Sequence, residues 1–164
     1  MDQLLCIATA LAVLGSGLTA GVFFAFAAFL LTALGRLPAV SGIVAMQSIT
    51  SAIKSLLFLL AFFGTAVLAA ILGLAAPFRW SEPGSGYLLL GALLYLNLPF
   101  AVTLLKNVPL NTKLAGTNAD SPEGARFWET FRASWGMWNH LRWIGALAAA
   151  AAFLMALVKS AAGA

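Results

Sequence analysis

Four apolar runs, at about residues 4–34, 43–75, 87–105 and 138–158, decide what this chain can fold into. A bilayer's hydrocarbon core is about 30 Å thick and takes roughly 20 helical residues to cross, and each run is close to that length or longer. Within hydrocarbon every backbone N–H and C=O must bond inside its own segment, so such runs become helices. The sequence therefore predicts an all-α, integral membrane four-helix bundle, one transmembrane domain over residues 1–164. Composition agrees: 62% of residues are hydrophobic, 9% are charged and mean hydropathy is +0.98, values that a soluble domain with a charged surface does not reach. A cleaved leader in place of the first helix is disfavoured, because the run is too long and no basic residue precedes it.

The charges then narrow the function classes. Cys6 is the one cysteine, which excludes an internal disulfide, and a single histidine with no carboxylate inside any span leaves no conventional set of metal ligands. The formal charge of +4 sits at helix ends and never forms a patch interleaved with exposed aromatics, so no nucleic-acid partner is expected. Arg36, Lys54, Lys106, Lys113, Arg126, Arg132 and Arg142 lie in or beside the loops joining runs one to two and three to four; Arg79 and Lys159 lie on the opposite side. Cytoplasmic loops carry the Lys/Arg excess. Both termini are thus expected outside, with the polar end cytoplasmic and the bundle in a bacterial inner membrane.

Along the chain, Gly17 and Gly21 have the spacing that lets helix backbones approach closely in lipid, read here as a packing device that also leaves room for a homo-oligomer. Phe23, Phe24, Phe26 and Phe29 follow, able to wall an apolar ligand or to face lipid. Gly35-Arg36-Leu37-Pro38 ends that span. In the next, Gln47, Thr50, Ser51 and Lys54 fall on one helical face, a polar stripe that must face the bundle interior or a wet cavity, with Lys54 either lining it or snorkelling to the headgroups. Pro99 should kink the third span, whose end carries Thr103, Asn107 and Asn111 on one face if the helix outlasts Pro109. Ser121-Pro122-Glu123 has the form of a helix start, and Phe127, Trp128, Phe131 and Trp135 give that segment an apolar side. The expectation is a short amphipathic interfacial helix before the fourth span. Trp135, Trp138, Asn139 and Arg142 share a face at the junction; His140 is about 100° round from Asn139. Three polar stripes thus end on one side of the membrane, either as a site or as a wet bundle end whose groups satisfy one another.

These segments resemble the anthrone oxygenase family of small four-helix integral membrane proteins, also described as a domain of unknown function. The resemblance rests on Phe24-Ala25-Phe26, Ala45-Met46-Gln47-Ser48-Ile49, Asn107-Val108-Pro109-Leu110-Asn111 and Trp135-Gly136-Met137-Trp138-Asn139-His140-Leu141-Arg142, and it spans nearly the whole chain. Thr50 stands where the pattern leads one to expect an asparagine three residues after Gln47. The resemblance implies a membrane oxygenase that converts anthrones to anthraquinones with O2 and no recognised metal or flavin cofactor. An anthrone C–H is acidic enough for a modest base to remove, and neutral imidazole can serve. On that chemistry His140 is the expected general base, Arg142, Asn107 and Asn111 hold the oxyanion and substrate hydroxyls, Asn139 and Gln47 orient the substrate, and Trp135, Trp138 and Phe26 form a flat apolar wall. The competing reading is a non-catalytic membrane protein that binds a lipid or quinone or assists a partner. A haem protein with His140 as axial ligand and Met46 or Met137 opposite is weaker. A transporter is weaker still, since no inverted halves or mid-membrane carboxylate are present.

Overall fold

The computed structural model describes residues 2–163. Five helices organise it: α1 (Gln3–Gly35), α2 (Ala39–Ala52), α3 (Leu56–Arg79), α4 (Ser85–Ala115) and α5 (Pro122–Ala162). Among the described residues there is no strand. All but α2 are long and apolar enough to cross a membrane, and they close a ring in which α1 and α4 each neighbour α3 and α5. The chain is thus an integral membrane four-helix bundle. The two ends of the chain and the α3–α4 turn share one face of it. Arg79 is ion-paired with Asp2, and Gly163 lies against Pro83. Asp2 also caps α1 by accepting from the Leu5 N–H at 2.9 Å; that bond, with Arg79 beside it, holds its carboxyl below the usual carboxylate range.

The half of the bundle near the termini is solid. Leu72, Leu88, Tyr95 and Phe153 fill it, with a buried alanine face on α5 from Ala146 to Ala156. Tyr95 donates to the Phe62 carbonyl at 3.0 Å and pairs with the Thr19 hydroxyl at 3.2 Å, so its buried phenol is satisfied. Gly17 and Gly21 take no part in this packing: nothing lies within 4 Å of where their Cβ atoms would stand. The close backbone approaches fall at other glycines, Gly15 against Thr65 and Gly145 against Leu98.

The opposite half departs from the expected spans in three ways. The run 43–75 is not one helix: α2 ends at Ala52, and α3 begins at Leu56 with Ser55 as its cap. Leu56–Ala75 alone has 20 residues, about 30 Å of helix, so the span needs nothing from α2. The break lets Lys54 sit exposed in the turn rather than two turns inside hydrocarbon, where an ammonium is costly. Next, the expected separate interfacial helix is the start of α5, a single helix of 41 residues and about 60 Å, roughly twice the hydrocarbon thickness. Ser121 caps it by accepting from the Gly124 N–H at 2.9 Å, and its apolar side does not lie on a membrane surface. Trp128, Phe131 and Trp135 are buried against Leu34, Ile43 and Met46.

Finally, three turns of the helices around this half are widened to π-helical bonding: Phe26–Leu30 in α1, and Leu96–Ala101 and Thr103–Asn107 in α4. Pro99 falls within the second. In the third the Val108 N–H bonds to the Thr103 carbonyl, and α4 runs on through Pro109 to Ala115. Such insertions rotate side chains out of ordinary helical register and often mark functional sites.

Candidate functional site

Between α1, α2, α3, α4 and α5, in the half away from the termini, lies a cavity of about 440 Å³. Its walls are mostly aromatic and aliphatic. Phe23 and Phe26 reach it from α1, Met46 and Ile49 from α2, Phe58, Leu59, Phe62 and Phe63 from α3, and Trp135 from α5. Phe58 and Phe62 stack at 5.7 Å and 9°, and Phe23 meets both edge-on at 6.4 and 6.1 Å. Phe24 and Phe29 point outward. Polar groups enter from three of the helices: Gln47, Thr50, Ser51 and Lys54 from α2 and the turn after it, Thr103, Asn111 and Thr112 from α4, and Arg142 from α5.

Arg142 dominates this set. It is only 3% exposed, and its guanidinium lies between two rings, 4.0 Å from the Phe23 centroid and 4.8 Å from that of Trp135. Nη2 donates to Asn139 Oδ1 at 2.8 Å and Nη1 to Thr103 Oγ1 at 3.3 Å, while Nε has no partner. Among the described residues no carboxylate balances the charge. The chain's five acidic residues, Asp2, Glu82, Asp120, Glu123 and Glu129, lie in loops or in the first two turns of α5. Twenty residues separate Arg142 from the end of α5 at Ala162, about 30 Å of helix, so the guanidinium lies near the boundary of the hydrocarbon on the side away from the termini. An uncompensated buried charge costs several kcal/mol, and an ionisable group at such depth marks a ligand or ion pathway by default.

The supports of Arg142 are built from residues singled out in the sequence. Asn139 is fully buried; its Nδ2 donates to the Phe23 carbonyl at 2.8 Å, which points Oδ1 at the guanidinium. Thr103 donates to the Pro99 carbonyl at 2.6 Å, leaving its lone pairs for Arg142. Trp135 Nε1 donates to Asn111 Oδ1 at 2.9 Å, and Asn107 Nδ2 to the Trp135 carbonyl at 3.3 Å. Gln47 tethers α2 to the end of α4 by donating to the carbonyls of Leu114 and Thr117 at 2.9 and 3.1 Å.

Of the residues picked from sequence, Gln47, Asn111, Trp135, Arg142 and Phe26 therefore surround one cavity, with Asn107 and Asn139 buried behind its wall. Trp138 lies apart, beneath Lys106 at 5.0 Å. His140 is also elsewhere. It is exposed, accepts from Trp143 Nε1 at 3.1 Å, and lines a surface groove with Arg36, Glu129 and Arg132. A continuous helix holds positions 140 and 142 about 200° apart, and no bend at Gly136 brings them together. Sequence reasoning gave no site role to Thr103, Phe58 or Phe62. The i, i+4 spacing of Phe58 and Phe62, which puts both rings on one face of α3, was the available signal for the last two. Among the described residues no three His, Cys, Asp or Glu side chains gather as metal ligands.

Fold and site together define a helical membrane protein with an aromatic cavity and one buried, unneutralised guanidinium. The family model for anthrone oxygenase matches residues 57–152, more than half of the chain, and the protein belongs to that family. The matched part includes Phe58, Phe62, Thr103, Asn111, Trp135 and Arg142; Phe23, Phe26 and Gln47 precede it. Neither the curated proteins nor the solved structures yield a match.

Proposed function

We propose that the protein is a membrane oxygenase that converts an anthrone-like or other polycyclic phenolic compound to a quinone, with Arg142 binding the substrate as its oxyanion. Membership in the anthrone oxygenase family supports an oxygenase-like function. The observation that carries the finer reading is the buried guanidinium aimed into an aromatic cavity with no carboxylate among the described residues to neutralise it. A fused aromatic ring fits walls of phenylalanine and tryptophan, and its ionised oxygen supplies the missing anion.

Binding the anion rather than the neutral form lowers the proton affinity of the bound substrate. The proton leaves through the polar mouth lined by Ser51, Lys54 and Thr112, all exposed. The anion's charge is shared between its oxygen and the ring carbon opposite. That carbon gives two electrons to O2 and forms a C–O bond, leaving a peroxide that takes up one proton. Loss of the second C–H proton and cleavage of the O–O bond give the new carbonyl, so one anthrone and one O2 yield one anthraquinone and one water. The Lys/Arg excess at this end supports a cytoplasmic position for the polar mouth in a bacterial inner membrane, with both termini outside.

This account makes His140 dispensable. The His140→Ala variant should keep at least half the wild-type rate, whereas a general base in the reacting complex would contribute about 10²–10⁴-fold. The direct test is oxygen uptake by purified, metal-stripped protein with emodin anthrone, against a no-protein blank because anthrones also oxidise spontaneously. Uptake above the blank with equal anthraquinone formed is the expected result. A rate equal to the blank, with ligand retained in stoichiometric amount, would leave a binding protein in place of an oxygenase.

A further inference from the structure

The cavity opens in two directions, and the two openings differ in chemistry. Ser51, Lys54 and Thr112 rim the polar one, where the α2–α3 break meets the end of α4. On the other side Leu59 and Phe63 of α3 and Leu104 and Val108 of α4 line the cavity and are also 36%, 44%, 42% and 43% exposed on the outer surface of the bundle. A side chain that lines a cavity and also faces outward stands at an opening. All four are apolar, and they are two i, i+4 pairs on adjacent helices, so the opening is a slot between α3 and α4.

The helix path accounts for the slot. α3 packs along the first third of α4, Ser85–Tyr95, and onto the wide turn that follows. The last ring contact between the two helices is Phe63 with Phe100, edge-on at 5.7 Å. Beyond it come the second wide turn of α4 and residues 108–115, for which no comparable contact with α3 exists. There α4 is held instead by α2 and α5, through Gln47 and Trp135. Leu56, Leu57 and Leu60 beside the slot are 73%, 82% and 63% exposed, a surface that only hydrocarbon satisfies.

We propose that this slot is a lateral portal through which an apolar substrate passes from the bilayer into the cavity, with the polar mouth reserved for proton and water exchange. The inference rests on the oxygenase reading for what the portal delivers, and it narrows the substrate class to compounds dissolved in the membrane. A fused-ring anthrone partitions into hydrocarbon, as O2 does, so both reactants are supplied from the same phase. The ring travels through leucine and phenylalanine side chains and meets Arg142 at the far wall.

The test uses reconstituted full-length protein and a phosphatidylcholine with a diazirine on one acyl chain, a probe anchored in the bilayer and unable to reach the cavity through water. After photolysis, labelled residues are located by mass spectrometry. Ile49 and Thr50, half-buried on the α2 wall of the cavity, should be labelled in the wild type along with lipid-facing Leu57 and Leu60. In Leu104→Trp, and separately in Phe63→Trp should the first misfold, label on Ile49 and Thr50 should fall by roughly tenfold, comparable to the low end of the change that mutation makes in association rates at one interface. Label on Leu57 should stay constant, and Thr112→Trp at the polar mouth should change none of them. An unlabelled inner wall in the wild type overturns the portal, as does label indifferent to both portal variants or lost only in Thr112→Trp. The readout involves no oxygen uptake. A protein that labels inside yet consumes no oxygen keeps the portal and loses the oxygenase reading, and the reverse pattern does the opposite.

Discussion

Replacing Arg142 by methionine is expected to remove turnover and leave the bundle standing. For the rate, a preorganised donor aimed at developing negative charge contributes about 10²–10³-fold in kcat, and here the guanidinium also sets the ionisation of the bound substrate. Oxygen uptake by Arg142→Met should therefore be indistinguishable from the spontaneous oxidation of the anthrone. For stability, opposing terms have to be weighed. Exchanging even a buried ion pair for apolar side chains of similar volume is neutral or favourable by about 1–4 kcal/mol, and a charge without a carboxylate has no such Coulomb attraction to lose. Against that, Asn139 Oδ1 loses its partner at 2.8 Å and Thr103 Oγ1 its weaker one at 3.3 Å, and an orphaned buried acceptor costs about 1–3 kcal/mol. The terms nearly cancel, so the unfolding temperature should move by only a few degrees. Arg142→Lys separates charge from geometry. A lysine keeps the positive charge but lacks the flat fork that reaches Asn139 and Thr103 together and fits between the Phe23 and Trp135 rings. It should recover part of the rate with a KM raised roughly tenfold over wild type, the equivalent of about 1.4 kcal/mol. Arg142→Met turning over at the wild-type rate would remove the oxyanion account, and a collapsed, unextractable Arg142→Met would show that the residue serves the fold.

Why the sequence shows the fold more readily than the site follows from what each depends on. Length and apolarity fix the transmembrane helices, because the bilayer sets both; capping chemistry at Ser121 and the stop at Gly35 needed only neighbouring residues. The break after Ala52 was hidden because residues 51–55 contain no proline or glycine, and Ser51 and Lys54 continue the helical face begun by Gln47 and Thr50. What ends α2 is the cost of Lys54 in hydrocarbon together with a cap from Ser55, a balance that a hydropathy pattern does not display. The convergence of Gln47, Asn111, Trp135 and Arg142 was legible because helical spacing places polar residues on faces, and such faces cannot point to lipid. His140 was the opposite case. It was chosen for its chemistry, since imidazole is the usual base, while its angular position on α5 already set it apart from Arg142. The wide turns in α1 and α4 had no visible signal beyond Pro99 and Pro109, yet they shift the register that carries Phe23, Thr103 and Asn111 toward the cavity.

Gly145→Ala and Gly17→Ala, the same change on two membrane helices, should act with opposite sign. A Cβ at Gly145 would stand 2.3 Å from the Cβ of Leu98, with the leucine Cδ1 and Cγ at 2.9 and 3.2 Å. A rotamer change cannot relieve a clash between two Cβ atoms, because both are fixed to their backbones, so α4 has to retreat from α5. Leu98 lies in the wide turn that also holds Pro99, and Thr103 follows on the same helix. The retreat therefore lengthens the 3.3 Å bond from Thr103 to Arg142 and loosens the side of the cavity that orients the guanidinium. Overpacking of this kind costs about 1–3 kcal/mol, which for a chain of this size lowers the midpoint of thermal unfolding by about 2–4 °C per kcal/mol. Turnover should fall along with it, since Arg142 loses a fixed neighbour. At Gly17 nothing lies within 4 Å of the added methyl, and alanine in a helix interior is favoured over glycine by roughly 0.5–1 kcal/mol. Gly17→Ala should therefore melt at or above the wild-type temperature with unchanged turnover. Circular dichroism melts in one detergent, with oxygen uptake on the same preparations, decide the matter. If Gly145→Ala melts with the wild type, the α4–α5 contact at Leu98 yields freely and does not hold the site; if Gly17→Ala is the damaging change, the outward glycine face is buried against another chain in the purified protein.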